Sequence, residues 1–523
     1  MRLEVEEANR VVKDWRRARV KVALCYPNVY RAGMTGLTVQ LLYHLFNSMD
    51  GVVCERFFKH EGPPLSLESG RRLSEFDVIA VTLQYELDYV GFLEMLIRSG
   101  VPARREDRGG RGGPIVVAGG PAVWANPSVL RDYVDVFAIG EAELLVPPLI
   151  EALCEGGGRE GALEALSRVE GLYVPSVSEG ARRVIVSDLD SAPHPISQVV
   201  TLGPEEHVPI FGRAFNLEAT RSCSRRCRFC LISWVGHPAR HRGVGEVSRI
   251  VEEGVAACGV GKVAIVGAGF SDHPNIAEVC SAVVDRGLEI STPSIRGDLL
   301  DREVLELMAR GGQRTLTIAP EAGNERLREV LGKPIPDDKL FKVCSEALEA
   351  GVRRLKLYFM VGLPGEEDED VEDIVRLTAK LSSMGFSEVH VTVGPLIPKA
   401  QTPFQWLPLA PMEVLRRRYG VLSRLRRLPR VRVDMAPLRA SELQALLSLG
   451  GPEMGRVVEE VARAGGRLGA WRGALRGLPI DPSFIYRGRG VDEELPWSHV
   501  QVNPTRVLVR EYERAMGASS VGP

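Results

Sequence analysis

Cysteine is scarce in this chain. Nine in 523 residues are too few for a disulfide scaffold, and the odd number argues against a full set of bridges. Lysine is also rare, with ten residues against 56 arginines, so most of the positive charge is guanidinium. Neither sign of charge dominates: 66 basic residues stand against 68 acidic ones, a formal net charge of −2. That balance excludes a global pull toward nucleic acid or acidic lipid. No apolar run approaches the roughly 18 residues of a membrane-spanning helix. The opening MRLEVEEANRVVKDWRRARV lacks the apolar core and small-residue cleavage site of a secretory leader, so a cytoplasmic protein is expected. Hydrophobic residues at 45% and charged residues at 26% are ordinary for folded domains.

The pattern along the chain is α/β. Residues 1–19 are expected to form a helical arm. Between 20 and 195, apolar runs of buried-strand length at 20–26, 77–83, 114–118 and 134–139 alternate with helical spacing such as 36–46. This predicts a doubly wound, Rossmann-like parallel sheet with its ligand site at the carboxyl ends of the strands. The run GGRGG at 109–113 has the composition of a surface loop, and SDLDSAPHPIS before 198 that of a linker. A second alternation fills 196–410, with strands expected at 215–219, 262–267, 288–295, 314–319, 353–361 and 387–394. Helical segments near 244–258, 274–286, 299–310, 337–350 and 368–384 separate them. Six such units predict a partial (βα)6 barrel of the TIM type, whose chemistry gathers where the strands end. From 411 to 523 a mainly helical or irregular extension is expected.

Directly after the first barrel strand stands CSRRCRFC, with Cys223, Cys227 and Cys230 in a C-x3-C-x2-C spacing. Three thiolates can hold three irons of a [4Fe–4S] cluster and leave the fourth iron open. The alternative is structural zinc, which needs a fourth ligand such as His237 or His241.

This loop, with Phe229 as its aromatic residue, followed by six βα units, resembles the radical SAM enzymes over about 205–410. The resemblance implies that S-adenosylmethionine (SAM) chelates the open iron and is split reductively to methionine and a 5′-deoxyadenosyl radical, which attacks an unactivated C–H bond. It places Gly267, Ala268 and Gly269 at the SAM amino group. There Phe270 replaces the usual Glu, and Asp272 is the nearest substitute. It likewise puts Ser294, Arg296 and Glu321 at the carboxylate and ribose, and Leu396 and Ile397 beside the adenine. Lys356 shares a strand face with Tyr358; a lone lysine inside a barrel is costly to bury, so it is expected to face SAM or an acid.

The amino-terminal domain resembles cobalamin-binding domains. Asn28, Tyr30 and Gly33 occupy the D-x-H-x-x-G positions, with Tyr in place of the cobalt-ligating His. Thr82, Gly119 and Gly120 stand where such domains accommodate the cofactor tail. Either cobalamin binds without a protein ligand, which points to methyl transfer, or the domain is a scaffold that has lost the cofactor. The strings TLTIAPEAGNERLREVLGKP and DPSFIYRGRGVDEELPWSHV extend the resemblance to a group of radical SAM proteins with this layout.

Eight arginines between 416 and 432 offer phosphate contacts or a solvated face. Arg225, Arg226 and Arg228 offer a contact for an acidic electron donor such as a ferredoxin or flavodoxin. The expected substrate is tRNA or rRNA, ahead of protein, with a lipid or small metabolite as the alternative. A non-catalytic iron–sulfur protein is the rival from another class.

Overall fold

The computed structural model describes residues 3–109 and 113–520, so most of the GGRGG segment lies outside the described residues. In the amino-terminal domain the chain forms β1 (Val20–Tyr26), β2 (Val52–Phe58), β3 (Val78–Thr82), β4 (Ile115–Gly119), β5 (Val136–Ala138) and β6 (Leu172–Tyr173). They make one sheet in the order β2–β1–β3–β4–β5–β6, parallel except for β6. Valine-rich runs suit strands that are buried on both faces. One face packs on α1 (Leu37–Ser48) and α4 (Ala142–Glu155), the other on α2 (Asp88–Arg98) and α3 (Pro121–Ala125). The strand order reverses between β1 and β3, which is where open α/β sheets bind ligands.

Strand β2 was not among the expected elements, because Glu55 and Arg56 interrupt its apolar run. All seven of its residues are nevertheless buried. Arg56 is neutralised by Glu7 at 2.7 Å and Glu68 at 2.8 Å. Glu7 lies in the segment expected to be a helical arm, and that expectation is corrected. Glu7–Ala8 is extended and pairs antiparallel with Val200–Thr201, and only Trp15–Arg17 makes a single 3-10 turn. The buried ion pair and the strand pairing override local helix propensity.

The barrel strands are β7 (Phe215–Leu217), β8 (Lys262–Ile265), β9 (Glu289–Ser291), β10 (Thr315–Glu321), β11 (Arg354–Val361), β12 (Glu388–Pro395) and β13 (Val431–Met435). β7–β8–β9 and β10–β11–β12–β13 are two parallel sheets, joined by a parallel bridge between Ile295 and Ile318. The helices α5 (Leu231–Val235) and α6 (Val244–Cys258) both follow β7, and α7 (Ile276–Val284), α8 (Arg302–Arg310), α9 (Asp337–Glu349) and α10 (Asp368–Ser383) follow β8, β9, β10 and β11. The six expected strands are present and β13 adds a seventh, so the boundary at 410 falls short. The alternation in VRVDM was masked by the arginines around it.

The carboxyl-terminal extension braces both domains. α11 (Met412–Leu422) joins the barrel's outer layer, while α12 (Leu438–Leu449) and α13 (Glu453–Arg463) pack on the amino-terminal domain. There Glu459 accepts a hydrogen bond from Tyr133 at 2.9 Å. α14 (Leu468–Gly477) follows, and α15 (Thr505–Ser520) returns to the barrel, setting Tyr512 5.4 Å from the Trp406 ring. No helix among the described residues is long and apolar enough to cross a membrane.

Candidate functional site

The cysteine loop begins at the carboxyl end of β7 and ends in α5. Cys227 is buried, and Cys223 and Cys230 are half-buried. Burial pushes the Cys223 thiol up to about 11 and the Cys227 thiol up to about 12, so these sulfurs become thiolates only with a metal to hold the charge. Among the described residues no three His, Cys, Asp or Glu side chains converge on a single-ion site. His241 is engaged with Thr220 at 3.1 Å. Cys223 and Cys230 are still close enough to add to the upward push on Cys227. The lack of a converging single-ion site among the described residues suits a cluster with a separate iron under each sulfur better than one tetrahedral zinc with Zn–S bonds of about 2.3 Å.

The loop is fastened on every side. Trp234 Nε1 donates to the Cys227 carbonyl at 3.0 Å. Arg228, expected at a partner surface, is instead buried and donates to the carbonyls of Glu329 and Val330 at 2.8 and 3.0 Å. Arg226 lies over the Trp234 ring at 5.3 Å. Arg225 stays exposed while donating to Asp272 at 2.8 Å. Asp272 also accepts from the Ser224 hydroxyl at 2.7 Å. Burial pushes its carboxyl up, but Arg225 and Ser224 outweigh this and hold it below the usual carboxylate range. Asp272 therefore braces the cluster loop.

Gly267 and Gly269 adopt φ of +115° and +69°. A Cβ at 267 would come within 2.5 Å of the Thr220 oxygen, and one at 269 within 2.8 Å of the Ser222 oxygen. These glycines, with half-buried Ala268 between them, let the end of β8 press against the cysteine loop. Phe270 is a core residue. Ser294 is exposed. Arg296 makes a two-point contact with Asp298 at 2.9 and 3.0 Å.

Glu321 ends β10 at a register shift with φ of +70°, a strained conformation of the kind that clusters at functional sites. It pairs with Lys333 at 2.8 Å. Burial pushes Lys333 down, but Glu321 and Cys227 outweigh it and keep the ammonium charged. Lys333 and Arg296 both lower the pKa of Cys227, so the top of the barrel gathers two cations and a carboxylate around one cysteine. Lys333 was not anticipated; a lysine in the turn GKP of a lysine-poor chain was the available signal. Leu396 packs with Ala322 and Phe229 as an apolar wall, while Ile397 faces the core shared with the amino-terminal domain. Lys356 stands five residues before the end of β11, roughly 16 Å down the strand at ~3.3 Å per residue.

A cleft of about 290 Å3 opens in the amino-terminal domain. Thr82, Gly119 and Gly120 line it at the sheet's carboxyl edge, and an apolar slot runs inward past Leu24, Leu41, Phe46, Val117 and Leu145. Its far wall is Ser222, just before Cys223, with Ile232, Val235 and Gly236 of α5 and its end. Asn28, Tyr30 and Gly33 are not among its lining residues. Tyr30 is buried, its hydroxyl donating to Glu7 at 2.7 Å and lying 2.9 Å from the Thr201 hydroxyl. Asn28 bonds Asp88 at 3.3 Å. A Cβ on Gly33 would strike Phe58 at 2.5 Å.

An ion network ties the domains at the cleft mouth, and sequence reasoning missed it. Arg221 reaches Glu141 at 3.0 Å, Glu143 at 2.6 Å and Glu218 at 2.7 Å, while Arg240 pairs with Glu141 at 2.7 Å. Glu141 and Glu143 follow β5, so their position after a strand's carboxyl end was the signal.

Residues 38–175 match the amino-terminal region of radical SAM proteins, and residues 217–378 match the radical SAM superfamily. The chain is 34% identical to an uncharacterised protein of Methanocaldococcus jannaschii, over 73% of this chain and 79% of that one. This chain is a radical SAM enzyme. Membership of the superfamily brings a [4Fe–4S] cluster, SAM and its reductive cleavage, and it removes the non-catalytic alternative. An uncharacterised methyltransferase of Pyrococcus horikoshii is 27% identical over 51% of this chain and 58% of its own length. Among solved structures, the radical SAM methyltransferase TsrM of Kitasatospora setae, with cobalamin and a [4Fe–4S] cluster bound, is 17% identical with a TM-score of 0.55. The match covers 88% of this chain and all of that one, and the likeness is one of fold.

The arginine stretch sits elsewhere. Arg417, Arg418 and Arg424 pair with Asp368, Glu366 and Glu372. Arg426, Arg427 and Arg430 precede β13, at the end of the barrel opposite the cysteines.

Proposed function

We propose that this radical SAM enzyme transfers a methyl group to an unactivated carbon, with cobalamin carried by the amino-terminal domain. One observation carries the reading: the cleft that starts at Thr82, Gly119 and Gly120 ends against Ser222 and α5, beside the cysteine loop. A cofactor in that cleft would therefore meet the space above the cluster. The apolar slot suits the aromatic end of a corrinoid tail, and no side chain among the D-x-H-x-x-G positions is free to ligate cobalt. This favours binding without a protein ligand over a scaffold.

When bound, the cluster supplies the electron that splits the SAM sulfonium, and a corrinoid supplies the methyl carrier. The chain's own residues do the positioning. Cys223, Cys227 and Cys230 hold three irons; Asp272 and the two glycines fix the loop that presents them. Arg296 and the Glu321–Lys333 pair offer charge to the amino-acid end of SAM, and Phe229 and Leu396 cover its apolar side. Arg225 remains exposed for an acidic ferredoxin or flavodoxin-like donor, which a reducing cytoplasm provides. Arg417, Arg418 and Arg424 are engaged in ion pairs and Arg426, Arg427 and Arg430 lie at the far end of the barrel, so an RNA or protein substrate draws no support from them, and the substrate is read as a smaller molecule entering the barrel.

The test supplies reconstituted protein with cobalamin and SAM labelled on its methyl group. Label recovered on the protein-bound corrinoid supports methyl transfer. Formation of 5′-deoxyadenosine with no label ever on the corrinoid would leave a radical SAM enzyme of another reaction type.

A further inference from the structure

The barrel interior is not packed like that of a closed barrel. In β11 and β12 every second residue, Leu355, Leu357, Phe359 and Val361 with Val389, Val391 and Val393, is buried against the helices. The intervening residues therefore face the lumen. Closed (βα)8 barrels fill that space with layers of bulky branched side chains. Here one register layer reads Thr317, Lys356, His390 and Arg432, and the next Tyr358, Thr392 and Asp434. Neighbouring strands lie about 4.8 Å apart, so each layer is a row of polar side chains within reach of a single ligand.

The charges in these rows do not cancel. Asp434 is held by His390 Nε2 at 2.6 Å and lies 3.9 Å from Arg432. One layer below, Arg354 and Glu388 are register partners of opposite sign. Lys356 makes no hydrogen bond or contact ion pair among the described residues, although it lies near enough to Asp434 to help hold that carboxyl down; its ammonium rests 5.0 Å from the Tyr358 ring, and the Tyr358 and Thr392 hydroxyls have no hydrogen-bond partner among the described residues. A half-buried lysine normally finds a carboxylate. This one also stands deep in the barrel. Five residues of β11 at ~3.3 Å each, tilted about 36° in a barrel, put its backbone on the order of 13 Å below the rim.

We propose that Lys356 and Arg432, with His390 fixed by Asp434 and the hydroxyls of Tyr358 and Thr392, bind the anionic end of the substrate, a carboxylate or a phosphate. The reacting carbon then lies at the rim beside the cluster, on the order of 10 Å from that group. This deepens the proposed function by naming the substrate class. It rests on that reading only in placing substrate in the lumen.

The test is calorimetric titration of inorganic pyrophosphate, and separately of glutarate, into cluster-reconstituted protein. Wild type is expected to bind one of them with unit stoichiometry, and the arm that binds tells phosphate from carboxylate. Lys356→Met and Arg432→Met are each expected to weaken that binding tenfold or more with the SAM dissociation constant unchanged, and Lys356→Arg to retain it. Binding of neither anion by wild type overturns the proposal, as does equal binding by Lys356→Met. A parallel loss of SAM affinity in Lys356→Met at unchanged cluster content overturns it too, because it would place the lysine on SAM. These outcomes are independent of whether label reaches a corrinoid, so failure here leaves the methyl-transfer reading standing.

Discussion

The amino-terminal sheet and the barrel of this molecule are built on opposite rules. In the amino-terminal sheet, β2 and β3 are buried at every position, so both faces are core. In the barrel, β11 and β12 are buried only at alternate positions. A sheet buried on both faces can bind only at its edge, so its cleft is a rigid seat beyond the strand ends. A sheet buried on one face leaves a row of polar side chains on the other. On the proposed function the difference separates the tasks: one sheet would hold a cofactor, and the other would surround a reacting substrate beneath a cluster.

Substitutions can break that division. The largest effect is expected from Cys227→Ala, which removes a cluster ligand: 5′-deoxyadenosine should fall to background, and iron content should drop, while cobalamin retention persists. Gly120→Ala tests the other side. At φ +104°, with a Cβ 2.5 Å from the Leu83 oxygen, strain of about 1–3 kcal/mol is expected. Cobalamin should be lost on gel filtration with the cluster intact.

Glu321→Gln leaves Lys333 buried and unpaired. A destabilisation of about 3 kcal/mol, read by thermal melting, should accompany at least tenfold weaker SAM binding. Asp88 supplies a pH test. Burial raises its carboxyl to about 6, with Glu86 adding to the shift. A native pKa above the unfolded value means stability falls as pH rises from about 4 to 6. Asp88→Asn should therefore raise the melting temperature at pH 7.5 and change it little at pH 4. The smallest effect is expected from Tyr30→Phe: about 1–2 kcal/mol from the lost hydroxyl contacts, and no change in the spectrum of bound cobalamin. A shifted spectrum would put Tyr30 on cobalt.

Most of the architecture was legible in the sequence because burial periodicity carries it. The helices expected at 244–258 and 368–384 are Val244–Cys258 and Asp368–Ser383. Where the reading failed, charge hid the pattern. Arg56 sits inside β2 because Glu7 and Glu68 come from distant segments to neutralise it, and no local signal reports such partners. The cysteine loop was legible because its ligands are contiguous. The Glu321–Lys333 pair and the Arg221 network were not, since their members meet only through the fold. Tyr30 shows the converse: its position in a motif placed it among the cobalamin-binding residues, and the structure gives its hydroxyl to Glu7 and Thr201.

The central claim, that the amino-terminal cleft and the cluster loop form one site, is tested most directly by titrating cobalamin into the cluster-reconstituted protein. Binding is followed by absorbance in wild type and in Leu145→Trp, which fills the slot. The account predicts stoichiometric, base-off binding by wild type that survives gel filtration and is abolished in the variant. No binding by wild type, or binding unaffected by the tryptophan, would contradict it.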